Sequence, residues 1–126
     1  MKGMRSLSAA LLVGVVLLST LACMLFTPPR GPLKFDPAVL PDAQVGVPYE
    51  AKVSISDNAT PAGEFSISEG TLPGGLTFEK IEGEDAARIS GTPQEAGAFT
   101  FKVFVWCYGT NVSGQVGEKE YTLTVK

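Results

Sequence analysis

From Phe99 to Val105 the chain alternates: Phe99, Phe101, Val103 and Val105 are apolar, with Thr100, Lys102 and Phe104 between them. A period of two belongs to a β-strand with one face in a core, and not to a helix. The run is preceded by Arg88-Ile-Ser-Gly-Thr-Pro-Gln-Glu-Ala-Gly97, in which Gly91, Pro93 and Gly97 carry the conformations that tight turns require. A long strand entered through such a turn predicts a β-sandwich, with Ala98–Tyr108 as its longest strand.

The rest of the chain has the same texture. Tyr49, Ala51, Val53 and Ile55 alternate with Glu50, Lys52, Ser54 and Ser56, a half-buried strand. Further strands are expected at Phe35–Leu40, Glu64–Ser68, Leu76–Glu79 (reaching toward Ile81), Arg88–Ser90 and Lys119–Lys126. Pro37 and Pro41 confine the first to a sheet edge, because proline has no N–H to donate to a ladder. No window after residue 26 has a helical period. About seven short strands with turn signals between them predict an all-β, Ig-like sandwich.

Composition narrows the function. The 126 residues hold 10 basic and 13 acidic side chains and no histidine. The length suits one domain, and the absence of a basic face argues against nucleic-acid binding. Without histidine the usual general base and the commonest neutral metal ligand are missing. No catalytic residues, cofactor or metal site are predicted, and the protein is expected not to be an enzyme.

The N-terminus reads as an export signal. Lys2 and Arg5 precede an apolar to weakly polar run from Ala9 to Phe26. Within it, Ser19-Thr-Leu-Ala-Cys23 resembles the lipobox of bacterial lipoproteins, with Thr20 where leucine is usual. That resemblance implies a signal peptide over 1–22 and a lipidated Cys23. A Pro-rich tether would then run over 23–34, ahead of the sandwich domain at 35–126. Cleavage there would leave 8 basic against 13 acidic residues. The alternatives are an uncleaved membrane anchor and a plain secretory signal cut elsewhere. All three put the domain outside the cytoplasm, and the first two hold it at the membrane. Met24, where sorting of enterobacterial lipoproteins would read Asp, implies the outer membrane in a Gram-negative host.

Four segments together resemble the bacterial putative Ig domains, which are related to cadherin-like and dystroglycan-type Ig folds. They are Leu40-Pro-Asp-Ala-Gln-Val-Gly-Val-Pro-Tyr-Glu50, Ser68-Glu-Gly-Thr-Leu-Pro-Gly-Gly-Leu-Thr-Phe78, Ile89-Ser-Gly-Thr-Pro-Gln-Glu-Ala-Gly-Ala-Phe-Thr-Phe-Lys-Val103 and Tyr121-Thr-Leu-Thr-Val125. The resemblance spans nearly all of 35–126 and implies a module of the cell envelope or surface. It also implies that calcium is not bound, because the acidic residue that commonly follows the long strand is replaced here near Cys107.

Cys107 shares the inward phase of Val105 and reads as a buried thiol; the alternative is an intermolecular disulfide or a reactive thiol. Glu82, Glu84 and Asp85 read as a solvated hairpin tip. Asn58-Ala-Thr and Asn111-Val-Ser fit a glycosylation pattern by chance. The outward phase of the long strand holds Phe104, Trp106 and Tyr108. One reading is that a loop, a bulge or the other sheet covers them. The other is a partner-binding face made of Phe104, Trp106, Tyr108 and Asn111, with loop 109–118 as its rim. On that reading the expected role is protein–protein or surface contact. Recognition of envelope polysaccharide or peptidoglycan by a carbohydrate-binding module is the alternative.

Overall fold

The computed structural model describes residues 13–15, 30–110 and 114–126. The chain divides into two units, Met1–Arg30 and Gly31–Lys126. In the first, residues 13–15 are helical, and Cys23 lies outside the described residues. No helix among the described residues is long and apolar enough to cross a membrane.

The second unit is a sandwich of seven strands: β1 (Lys34–Asp36), β2 (Tyr49–Ser56), β3 (Ala62–Gly70), β4 (Leu76–Lys80), β5 (Ala86–Gly91), β6 (Gly97–Cys107) and β7 (Val116–Val125). They form a four-stranded sheet ordered β1-β2-β5-β4 and a three-stranded sheet ordered β3-β6-β7. All strand pairings are antiparallel. The expected first strand ends early, at Asp36 instead of Leu40, with a cis Asp36–Pro37 bond just beyond it. The chain then crosses to the other sheet, where Ala43 bridges Val125 in parallel. The strand expected from Lys119 begins three residues sooner, at Val116.

The turn between Gly91 and Gly97 does not close a hairpin. It carries the chain from β5 in one sheet to β6 in the other. Gly91 packs against Gly75: a Cβ on Gly91 would come within 2.1 Å of the Gly75 carbonyl oxygen, and one on Gly75 within 2.0 Å of the Thr92 oxygen. The Thr92 N–H donates to Gly75 O (3.2 Å) and the Gln94 N–H to Gly74 O (3.0 Å). The Leu72-Pro-Gly-Gly-Leu76 and Ser90-Gly-Thr-Pro93 segments are therefore two halves of one backbone contact, and any side chain at its centre would part them.

The core lies between the sheets. Val53 and Ile89 from one sheet meet Phe101, Val103, Val105 and Leu123 from the other, all fully buried. Burying each such side chain contributes about 1.5–3 kcal/mol before entropic costs. Leu33, just ahead of β1, is also in the core. It packs with Phe35 over Gly117, where an added Cβ would meet Leu33 at 3.1 Å. Two phenols fasten the crossing segment: Tyr121 donates to Pro37 O (2.8 Å) and Tyr49 to Pro41 O (2.9 Å).

Candidate interaction face on the three-stranded sheet

β6 is the central strand of its sheet, so its side chains alternate strictly between the core and the outside. Phe101, Val103, Val105 and Cys107 point inward and are buried, which leaves Thr100, Lys102, Phe104, Trp106 and Tyr108 on the outer face. The two register shifts in this pairing lie at Ala62/Glu64 and Ile67/Glu69, on β3. A bulge on the neighbour leaves the phase of β6 intact.

The aromatic row is only partly covered. Phe104 is half-buried between Ser66 and Glu118, its cross-strand neighbours. Trp106 is 39% exposed, Tyr108 52%, and Val116, directly opposite Trp106 on β7, 58%. Trp106 and Tyr108 stand edge to face, with ring centroids 5.1 Å apart and planes at 65°. The indole also reaches across β3. A Cβ on Gly63 would come within 2.2 Å of Cζ3 and 2.4 Å of Cε3, so the benzo ring occupies the space a side chain would take. Its exposed surface is turned away from the sheet.

The end of β6 is held by polar contacts that local sequence does not reveal. Gln115, 8% exposed, receives the Ala59 N–H at Oε1 (2.7 Å) and donates from Nε2 to Gly31 O (2.9 Å) and Asp57 O (3.1 Å). Its carbonyl accepts from the Cys107 N–H (2.9 Å), and the Tyr108 N–H donates to Pro61 O (3.1 Å). Thr60 Oγ1 donates to Tyr108 O (2.6 Å). Within the expected rim, Gln115 is thus pinned to β6, Gly114 packs against the Cys107 carbonyl, and 116–118 belong to β7. Asn111 lies outside the described residues.

Asp85 is not part of a solvated tip. Its Oδ1 accepts the Ala62 N–H (2.7 Å) and its Oδ2 the Asn58 amide (2.8 Å), tying the β4–β5 hairpin to the start of β3. Glu82 and Glu84 are exposed, and Glu84 pairs with Lys52. Asn58 therefore has a structural role. Cys107 is a buried free thiol opposite Ala62, and burial, with the nearby Asp85 charge, pushes its pKa up. Among the described residues no three potential metal-binding side chains are grouped.

Acidic residues border the aromatic row. The outer face reads across the strands as Glu64–Trp106–Val116, then Ser66–Phe104–Glu118, then Glu69–Lys102–Glu120. Lys102 pairs with Glu69 at 3.1 Å, and that contact holds its pKa above the usual lysine value. A shallow depression at this end is lined by Glu69, Gly70, Thr100, Phe101, Lys102 and Glu120.

Two antiparallel sheets packed face to face, with the chain crossing between them, define an Ig-like β-sandwich. The sequence profile of the putative Ig domain family matches residues 32–126, and the chain belongs to that family. Comparison with curated proteins returns no match. Among solved structures, the chain is similar to an endo-fucoidan hydrolase from glycoside hydrolase family 107. The TM-score is 0.59 at 24% identity, over 76% of this chain and 17% of that one. It is also similar to the SrpA adhesin of Streptococcus sanguinis, with a TM-score of 0.59 at 15% identity over 79% of this chain and 59% of that one. The chain spans less than two thirds of either structure, and at these identities the likeness concerns the fold.

Proposed function

We propose that the protein is a non-enzymatic lipoprotein of the cell envelope, anchored through Cys23, whose Ig-like domain makes protein–protein contacts through Phe104, Trp106 and Tyr108. Asn111 stands in the connection beyond them. The observation that carries this reading is the outward Trp106–Tyr108 pair beside exposed Val116. Rings of this size favour burial, and an exposed apolar cluster rimmed by polar residues marks an interaction surface. The same face supports the carbohydrate reading less well. Flat stacking of one sugar ring across both aromatics is disfavoured, because the two rings stand edge to face at 65°.

The point where the chain enters the domain bears on how an anchor would place it. Gln115 fastens Gly31 beside the end of β6, so the chain enters the domain near Tyr108. From Cys23 to Gly31 the chain reaches under about 30 Å even when fully extended. An anchor at Cys23 would keep the aromatic face close to the membrane surface.

The test is site-specific photo-crosslinking in envelopes of cells producing the full chain. A photoreactive phenylalanine replaces Trp106 or Tyr108 in one set, and Glu79 or Arg88, on the other sheet, in a control set. A discrete adduct from 106 and 108 but not from 79 and 88 is expected. Equal labelling from both faces, or none, would sink the proposal.

A further inference from the structure

The geometry points to a partner of one chemical class: a basic segment of another protein, docked in extended conformation along β6. Its Lys or Arg side chains would lie over the rings and between the bordering carboxylates. This rests on the reading of the aromatic strand as the contact site, and charge complementarity carries it further.

Among the outward positions of β3, β6 and β7, the carboxylates are Glu64, Glu69, Glu118 and Glu120, and the only basic side chain is Lys102. Lys102 is already engaged by Glu69. Glu64 flanks Trp106 and Glu118 flanks Phe104, and neither forms a salt bridge among the described residues. An aromatic ring face attracts cations, tryptophan most strongly, and a carboxylate beside the ring adds to the attraction. The same field repels phosphate, sulfate and carboxylate groups, which sets nucleic acid, acidic glycans and anionic headgroups against the site.

The spacing suits an extended chain. Phe104, Trp106 and Tyr108 recur every second residue, about 6.6 Å apart along the strand, and the side chains on one face of an extended partner repeat at the same interval. Arg is favoured over Lys, because its planar guanidinium stacks on a ring and still reaches a carboxylate with its N–H fork. The carboxylates are exposed, so attraction to them weakens as salt rises. The main competitor is the bilayer itself, since the tether enters at this end and Trp and Tyr favour membrane interfaces.

Trp106 is the sole tryptophan of the chain, so its emission reports the site directly. The full chain, reconstituted in phosphatidylcholine nanodiscs, is titrated with three capped octapeptides in which threonine alternates with arginine, glutamine or glutamate. The arginine peptide is expected to shift the Trp106 emission saturably. Its affinity should fall at least about fivefold between roughly 50 and 300 mM salt. Glu64→Gln combined with Glu118→Gln should weaken it by about fivefold as well, with the emission of the free protein unchanged. If the glutamine or glutamate peptide binds as tightly, the basic-partner inference fails while the contact face stands. If brominated phosphatidylcholine quenches Trp106 before any peptide is added, the face lies in the bilayer and the inference is overturned. No response to any peptide up to about 1 mM also overturns it. The contact reading itself falls only if photo-crosslinking is absent, or equal from both faces.

Discussion

Trp106 lies over Gly63, on the neighbouring strand, where a Cβ would come within 2.2 Å of the indole. The missing side chain is what lets the ring settle across β3 and present one surface outward. Gly63→Val should therefore displace the indole. The terminal ring can swing into solvent, so the fold should survive with a stability change within about 1 kcal/mol. Expected outcomes are a red-shifted Trp106 emission and stronger iodide quenching. Unchanged quenching would show that the indole does not depend on Gly63.

Gln115 makes three side-chain hydrogen bonds from a buried position, to Ala59, Gly31 and Asp57. Gln115→Ala leaves those backbone groups without partners and should cost about 2–3 kcal/mol in urea unfolding. Gln115→Glu should cost at least as much near neutral pH, because a carboxylate would replace the amide donors that face two carbonyl oxygens. A loss below about 0.5 kcal/mol for both variants would mean that this junction does not hold the end of the sandwich.

Much of the fold was legible. The period of two located β2 to the residue and the inward set Phe101, Val103 and Val105, because burial on one sheet face imposes that alternation directly. The outward phase of Phe104, Trp106 and Tyr108 followed from the same count, and it held because the bulges fell on β3 and not on β6. What local pattern could not show were contacts between distant segments. Gln115 sits 84 residues from Gly31 and 56 from Ala59, inside a stretch whose composition reads as a polar loop. Nor can the spacing of Gly63 say that an indole from another strand will cover it. The glycines and proline of Gly91–Gly97 signal a turn, but whether it returns to the same sheet depends on which strand pairs with β6.

Asp85 differs from its acidic neighbours in what its oxygens hold. Asp85→Ala removes the acceptor for the Ala62 N–H and the Asn58 amide and should cost about 1–3 kcal/mol. Glu82→Gln, on the exposed side of the same hairpin, should fall within about 0.5 kcal/mol of the parent. The comparison by chemical denaturation separates the two carboxylates. Equal effects would return Asp85 to the solvated tip.

Cys107 is enclosed between the sheets, and burial raises the pKa of its thiol. Both features keep it from forming thiolate in contact with solvent. In a Cys23→Ser form of the chain, a thiol reagent at neutral pH should label Cys107 only as the domain unfolds, with the labelling midpoint following the urea transition. Rapid stoichiometric labelling of the native protein would instead mark an accessible thiol, fit for an intermolecular disulfide.

Tyr121 makes stability depend on alkaline pH. The residue is 2% exposed, its hydroxyl donates to Pro37 O, and burial, aided by the Asp36 charge, pushes its pKa up to about 12. In the unfolded chain the phenol would ionise near its usual value of 10. The folded state thus favours the neutral phenol, and the stability this confers is fully present below about pH 10. It drains away as pH rises toward 12, by up to about 2 kcal/mol. Tyr49 is shifted in the same direction by burial and adds to the slope. Tyr121→Phe should be less stable than the parent at neutral pH, having lost the bond to Pro37, and should lose less stability across that alkaline window. Parallel stability profiles for the two proteins from pH 9 to 12 would show that Tyr121 ionises no differently in the folded and unfolded states.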